Sequence, residues 1–168
     1  MPERSPILSI VVPCYQERHR LQACTAGLRQ AAKAANMETE VILVDDGSTD
    51  GTADHARKLL ADFPNAAVLE APHLGKGAAL QRGVAASQGE LVFLADADWS
   101  MPPEQIQRFL PPNALDFHLA IGNREHPESK RINEPFYRHA LGRCFNQFVQ
   151  RMLLDGIEDS QCGYKCLD

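Results

Sequence analysis

Long apolar runs are missing from this 168-residue sequence. No stretch reaches the roughly 18 residues that crossing a bilayer requires, which excludes an obvious spanning helix. The opening MPERSPILSIVVP has no signal-peptide pattern, because its apolar run is too short and reads as a strand. Blocks of Lys and Arg are absent too, and with a net charge of −5 this argues against a nucleic-acid partner. The five cysteines, at 14, 24, 144, 162 and 166, lack metal-ligand spacing. Cys162 and Cys166 sit four apart without a second pair, so free thiols in a reducing cytoplasm are expected. The six histidines are scattered with no partner at ligand spacing and are assigned to surface or core. Internal repeats, linkers and low-complexity segments are absent. What remains is one domain of ordinary soluble composition, 44% hydrophobic and 23% charged, long enough to bury a core.

What is present is an alternation of apolar runs and amphipathic stretches. ILSIVVPCY (7–15) reads as a buried strand that Pro13 brings to an end. HRLQACTAGLRQAAKAA (19–35) sets Leu21, Cys24, Leu28, Ala31 and Ala32 on one helical stripe. TEVILVDDGSTDGT (39–52) reads as a second strand running into acids and a Gly/Ser/Thr turn. Asp50 or Thr52 is available to cap the helix ADHARKLLADF, which Phe63-Pro64 stops. A third strand, AAVLEA (66–71), precedes a helix over 77–87, and ELVFLADAD (90–98) is a fourth strand. PPEQIQRFLP (102–111) reads as a short helix with proline in its first turn, and HLAIGNR (118–124) as a fifth strand. Strands that are apolar throughout and alternate with helices imply a parallel sheet covered on both faces. In such folds ligands bind beyond the carboxyl ends of the strands. Those ends carry Tyr15 and Glu17, Asp45 and Asp46, and Asp96 and Asp98. Acidic strand ends gathered on one edge read as a site.

LVFLADADWS (91–100) poses the sharpest question, because Asp96 and Asp98, with Ala97 between them, end the most apolar strand. At ~5 Å and an effective dielectric of ~20, two carboxylates repel by about 3 kcal/mol. A divalent cation is the obvious compensation, and a solvated loop is the bland alternative. A strand ending in D-x-D also serves phosphatases with an aspartate nucleophile. Their motif lies near the N-terminus with Thr or Val two residues on, where Ser100 stands here. In VILVDDGSTDGT the bland reading is a pair of helix-capping aspartates. A response-regulator receiver fits poorly, since its acidic pair follows the first strand. LGKGAALQRG (74–83) is neither a Walker A nor a complete G-x-G-x-x-G. It is a Gly-rich approach to a helix that could place Lys76 near phosphate. Trp99, the single tryptophan, either lines the pocket or packs.

SIVVPCYQE, VILVDDGSTDGT, GKGAAL with a later glycine, LVFLADAD and IGNR stand in the order and spacing of family 2 glycosyltransferases. The sequence resembles that family, which has the GT-A fold, over nearly its whole length. EDSQCGYK (158–165) is similar to the D-x-x-C/S-G-F/Y-K/R element of the dolichyl- and polyprenyl-phosphate hexosyltransferase branch. Its QCG wording is closer to the dolichyl-phosphate glucosyltransferase type than to the mannose type. The resemblance implies an α/β, Rossmann-like, mainly parallel sheet with helices on both faces. It implies one catalytic domain over 1–168, with a nucleotide-sugar part at 1–124 and the start of an acceptor part at 125–168.

Residue by residue, the resemblance implies that Pro13, Tyr15 and Glu17 hold the base and ribose, and that Asp45 or Asp46 accepts a hydrogen bond from the base. Asp96 and Asp98, flanking Ala97, match the D-x-D that binds Mg²⁺ or Mn²⁺ and the diphosphate, and Lys76 is grouped with this nucleotide-sugar site. Arg124 matches an arginine near donor or acceptor phosphate, and Asp159, Gly163 and Lys165 match the acceptor-side element. Arg124, Arg138, Arg143 and Lys165 are thus the candidate acceptor-phosphate cations, and Asp98, Asp159 and Arg124 the candidate catalytic set. Departures are Ser100, where the mannosyl branch has a glutamine metal ligand, and Gly142-Arg143, where it has a serine before arginine. Family domains also continue beyond the G-[FY]-[KR] element, so a C-terminally shortened domain is expected.

The implied activity is inverting transfer of a hexose from a UDP-glucose or GDP-mannose type donor to a polyprenyl or dolichyl phosphate. It would be metal-dependent, with peripheral contact at the cytoplasmic face of a membrane. A saccharide acceptor and a non-catalytic nucleotide-sugar-binding fragment are the alternatives. Hard oxygen ligands without thiolate or imidazole favour Mg²⁺ or Mn²⁺ over zinc. Two readings of the residues favour a lipid phosphate. FYRHALGRCFNQFVQRMLL (136–154) sets Phe136, Leu141, Phe145, Phe148 and Met152 on one stripe, with Arg138, Arg143 and Arg151 opposite. That composition suits a helix at a lipid interface or one packed on the sheet. Arg124, Lys130, Arg131, Arg138, Arg143 and Lys165 follow the fifth strand as a set of cations suited to a phosphate. Such an acceptor, with a second pKa of about 6, needs little base catalysis. Asp159 would then orient a cation or the acceptor, and serve as general base only for a hydroxyl.

Overall fold

The computed structural model describes residues 8–114, 117–124, 126, 159 and 161–168. The helix expected over 136–154, and with it Arg138, Arg143, Lys130 and Arg131, lies outside the described residues. The chain forms two compact units, 1–120 with 164–168, and 121–163.

The elements run β1 (Leu8–Cys14), α1 (Leu21–Ala35), β2 (Thr39–Asp45), α2 (Thr52–Leu59), β3 (Ala66–Glu70), α3 (Lys76–Ala86) and β4 (Leu91–Leu94). A 3₁₀ helix (Pro103–Phe109), β5 (Leu119–Ile121) and β6 (Lys165–Leu167) follow. The strands form one sheet in the order β3-β2-β1-β4-β6-β5. β1 lies parallel to β2 and β4, β2 parallel to β3, and β6 antiparallel to β4. The mainly parallel α/β sheet implied by the sequence is therefore present. The chain steps outward from β1 to β3, then α3 returns it to the other side of β1, which makes β1/β4 the topological switch point.

Side-chain alternation along each strand divides the core between the two faces. Val11, Ile42, Val44, Val92 and Leu94 are buried with Ala79, and Leu80 and Val84 of α3 pack against them. Gly83 makes that approach possible, since a Cβ there would come within 2.3 Å of Val11 Cγ1. On the opposite face Phe93 meets Phe109 of the 3₁₀ helix edge-on, with ring centroids 5.2 Å apart. Helix α1 buries Leu21, Cys24, Leu28 and Ala31 of the expected stripe, leaves Ala32 only half-buried at its edge, and ends at Asn36 in the left-handed conformation (φ 53°). Among the described residues, Cys14, Cys24 and Cys166 are buried free thiols, and Cys162 is buried as well. No helix among the described residues is long and apolar enough to cross a membrane.

Several expectations need correction. Pro13 does not end the first strand; it sits inside β1, in register with Val44. The fourth strand stops at Leu94, so Asp96 and Asp98 belong to a turn in which Trp99 N–H reaches Asp96 O at 3.2 Å. The helix expected over 102–111 is a tighter 3₁₀ segment, Pro103–Phe109, with its leading proline in place. The fifth strand shrinks from 118–124 to Leu119–Ile121. Strand β6 was not anticipated at all, because Lys-Cys-Leu is too short to show a period.

Candidate functional site

The carboxyl ends of β1, β2 and β4 share one edge of the sheet, and the loops leaving them are tied together by side chains. Behind β1, Gln16 turns through a left-handed conformation (φ 53°). Its N–H donates to Ser48 Oγ at 2.8 Å, and its side-chain amide to Thr49 Oγ1 at 3.0 Å. Glu17 N–H donates to Thr52 Oγ1 (3.0 Å) and Arg18 N–H to Asp50 Oδ2 (3.2 Å). Asp50 Oδ1 in turn accepts Thr52 N–H at 3.0 Å, the first-turn donor of α2. The N-cap of α2 is Gly51, without a side-chain cap bond, so neither Asp50 nor Thr52 holds the capping position expected of it. The short polar side chains of GSTDGT instead satisfy backbone amides of the β1 loop. Glu17 Oε2 is left buried without a hydrogen-bond partner among the described residues.

The acidic pair divides its labour. Asp45 holds its own turn, accepting Ser48 N–H at 3.2 Å through Oδ2 and the Ser48 hydroxyl through Oδ1. Asp46 reaches across to the loop before α3. Its Oδ1 accepts Leu74 N–H (3.0 Å), while Oδ2 accepts Gly75 N–H (3.0 Å) and faces His73 Nδ1 at 2.8 Å. Burial pushes the Asp46 carboxyl upward, but donation from Leu74, His73 and Gly75 outweighs it and leaves the group below its ordinary value of 3.8. Gly47, at φ 74°, gives the loop room, since a Cβ there would lie 2.7 Å from His73 N. The imidazole of His73 stacks on Tyr15, with ring centroids 4.0 Å apart and planes 13° from parallel. His73 thus joins the site although its sequence spacing, without a partner at ligand distance, assigns it only to surface or core.

Asp96 and Asp98 stand on a turn braced from both sides. The indole N–H of Trp99 donates to Cys24 O in α1 at 3.0 Å, and its ring covers Gly27, where a Cβ would meet Trp99 Cδ1 at 2.4 Å. Trp99 therefore packs. Met101 N–H donates to Tyr164 Oη at 3.1 Å, so the tyrosine of CGYK anchors the other end of the turn. Lys165 beside it pairs in register with Leu94, two residues before Asp96. Lys76 Nζ lies 2.5 Å from Asp96 Oδ1, and Asp98 Oδ1 accepts Ser100 N–H at 3.1 Å. Part of the charge expected from a metal is thus already supplied by lysine. Leu74 and Gly75 N–H point at Asp46, so this Gly-rich loop spends two amides on a carboxylate of the chain instead of holding them for phosphate.

Among the described residues, no group of three or more His, Cys, Asp or Glu gathers to hold a metal. Asp96 and Asp98 nevertheless fit Mg²⁺ or Mn²⁺, which accept one or two carboxylates and complete their shell with phosphate oxygens and water. In the second unit, Arg124 Nε and Nη2 engage Asp159 as a fork (2.8 and 2.9 Å), and Arg124 N–H adds a third bond at 3.1 Å. Asp159, almost fully buried, therefore fixes the pose of Arg124. Pro13, Tyr15, Glu17, Asp45, Asp46, Lys76, Asp96, Ala97 and Asp98 belong to the first unit, as does Lys165.

The sequence model for glycosyl transferase family 2 matches residues 9–166. The chain belongs to that family. A dolichyl-phosphate beta-glucosyltransferase from Drosophila melanogaster is 34% identical over 175 residues, which cover 94% of this chain and 53% of that relative. The family 2 chain spans about half the length of the curated relatives it matches. Its fold is the GT-A fold: mannosyl-3-phosphoglycerate synthase from Rubrobacter xylanophilus superposes with a TM-score of 0.69, at 19% identity, over 97% of this chain and 53% of that one. Mannosyltransferase PcManGT from Pyrobaculum calidifontis, in complex with GDP-Man and Mn²⁺, is similar at TM-score 0.53 and 25% identity, over 66% of this chain and 34% of its own.

Proposed function

We propose that this family 2 chain binds a UDP- or GDP-hexose and provides the donor half of an inverting, metal-dependent hexosyltransferase whose acceptor is a dolichyl or polyprenyl phosphate. The observation that carries the reading is the gathering of three acidic strand ends at the β1/β4 switch point. One of these ends, the Asp96–Asp98 turn, is pinned by Trp99 and Tyr164. The relatives named for dolichyl-phosphate glucosyl transfer support the lipid phosphate, and the neighbour holding GDP-Man and Mn²⁺ supports the metal.

In this reading, Asp96 and Asp98 would hold Mg²⁺ or Mn²⁺, which as a Lewis acid would offset the charge developing on the departing diphosphate. Lys76, released from Asp96, would turn to the phosphate oxygens. The orphaned Oε2 of Glu17 would accept a ribose hydroxyl. On the acceptor side, the fork to Asp159 would hold Arg124 ready for a lipid phosphate, with Lys165, Arg138 and Arg143 as further cations. Peripheral contact at the cytoplasmic face of a membrane would follow from such an acceptor.

The test is transfer of labelled hexose from UDP-glucose and from GDP-mannose to dolichyl or undecaprenyl phosphate in detergent, with Mn²⁺ or EDTA. Mn²⁺-dependent appearance of label in the lipid fraction is expected. Label appearing only in a soluble saccharide would overturn the acceptor assignment.

A further inference from the structure

The two carboxylates expected to read the base are both engaged within the chain. Asp45 is committed to Ser48. Asp46, with only 4% of its side chain exposed, accepts from Leu74, Gly75 and His73. What emerges from this end of β2 is the imidazole of His73, 54% exposed.

Its chemistry is fixed by its partners. Nδ1 faces Asp46 Oδ2 at 2.8 Å and the Asp46 carbonyl at 3.0 Å. A carbonyl and an ionised carboxylate only accept, so Nδ1 must carry the proton. In the neutral ring Nε2 is then an acceptor with a lone pair in the ring plane. Tyr15, stacked at 4.0 Å, holds that plane. Asp46 sets the tautomer, Tyr15 the orientation, and the outcome is one preoriented acceptor on an exposed edge beside β1.

We infer that His73 is a specificity-determining residue for the nucleobase, its Nε2 accepting the ring N–H of a uracil or guanine. Uracil N3–H and guanine N1–H are donors, whereas cytosine N3 and adenine N1 are acceptors and would oppose the lone pair. The buried acidity of Asp46 is in this way passed outward through an imidazole, which meets the base where the carboxylate does not. The inference rests on the donor-site reading above and adds a residue and a rule of selection to it.

Calorimetric titration in Mn²⁺ tests it with UDP, GDP, CDP and ADP, together with N3-methyl-UDP and N1-methyl-GDP, which lack the donor. The unaltered chain should prefer UDP or GDP to CDP and ADP. Methylating the ring nitrogen of the preferred nucleotide should weaken binding by about tenfold, the worth of one hydrogen bond. His73→Phe keeps a ring for Tyr15 but removes both nitrogens. It should weaken the preferred nucleotide by about the same factor without weakening its methylated analogue or CDP, whose opposed lone pair is removed, so that the preference disappears. A loss common to all nucleotides would mark a merely structural role and overturn the inference. Equal binding of methylated and unmethylated nucleotide by the unaltered chain, which needs no variant, would overturn it too. Absence of binding by every nucleotide would overturn the donor site itself.

Discussion

The Lys76 ammonium sits 2.5 Å from the Asp96 carboxylate, so the first acid of the D-x-D has a counter-ion built into the chain. The pair is partly exposed, with side-chain exposures of 55% and 28%, and pairs of this kind contribute roughly 0.2–1 kcal/mol. A divalent ion competing for Asp96 has to displace the lysine. Lys76→Met should therefore raise the affinity of the free protein for Mn²⁺ by roughly twofold to fivefold. Titration followed by the electron-spin signal of free Mn²⁺ reads this directly, and unchanged affinity would show that lysine and metal do not contest the same oxygen.

Asp98 is exposed and contributes one oxygen to Ser100 N–H, so its loss should not unfold the chain. Asp98→Asn should abolish the Mn²⁺-dependent part of UDP or GDP binding while the melting temperature stays within a degree or two, roughly what a surface change permits. The same affinity in Mn²⁺ and EDTA, for parent and variant alike, would rule out metal-assisted binding.

Gly27 and Trp99 share a contact too close for a side chain at 27. Gly27→Ala would put its Cβ 2.4 Å from Trp99 Cδ1, so the indole must shift and carry the Asp96–Asp98 turn with it. The expected cost is about 1–3 kcal/mol of stability, together with weaker nucleotide binding. Because Trp99 is the only tryptophan, its fluorescence reports this turn alone; an emission maximum and a denaturation midpoint unchanged by the substitution would refute the contact.

Acid should expose the work done by Asp46. Its carboxyl is held below 3.8 in the folded chain, so the folded state binds that proton less readily than the unfolded one. The stability this confers is complete above about pH 4 and drains away as pH falls through the lower folded value. Asp50 and Asp62 are shifted the same way, so the acid limb is shared. Asp46→Asn should flatten part of that limb in urea melts collected between roughly pH 2 and 5. A limb of unchanged slope would mean that the Leu74, Gly75 and His73 bonds do not favour the ionised form.

The parallel core was legible because β1, β2 and β4 are apolar on both faces, a pattern that few other folds demand. The acidic strand ends were legible for the same reason, as charges abutting such runs. His73 was not, since its partners Asp46 and Tyr15 lie 27 and 58 positions away, and no local spacing encodes a contact made by two loops from different strands. Trp99 is ambiguous in the sequence because the residue that seats its ring, Gly27, lies 72 positions away. The turn after β4 reads as strand in the sequence because its alternating acids continue a period-2 pattern that the backbone abandons at Leu94. Tyr164 carries no assignment in the sequence, yet its hydroxyl serves the amide of Met101, a pairing 63 residues apart.

Pro13 carries a consequence of its own. Ala95 N–H donates to Val11 O at 3.0 Å, and in a parallel ladder the following rung would join the amide of residue 13 to the carbonyl of residue 95. An imino acid has no hydrogen to offer there, so the zipper between β1 and β4 halts while β1 continues along β2 as far as Asp45. The fork between the two strands, from which the Asp96–Asp98 turn departs, is thus cut by the main chain itself. Loops on either side can vary in sequence without closing it, whereas a single amide restored at 13 would invite the two strands to go on knitting.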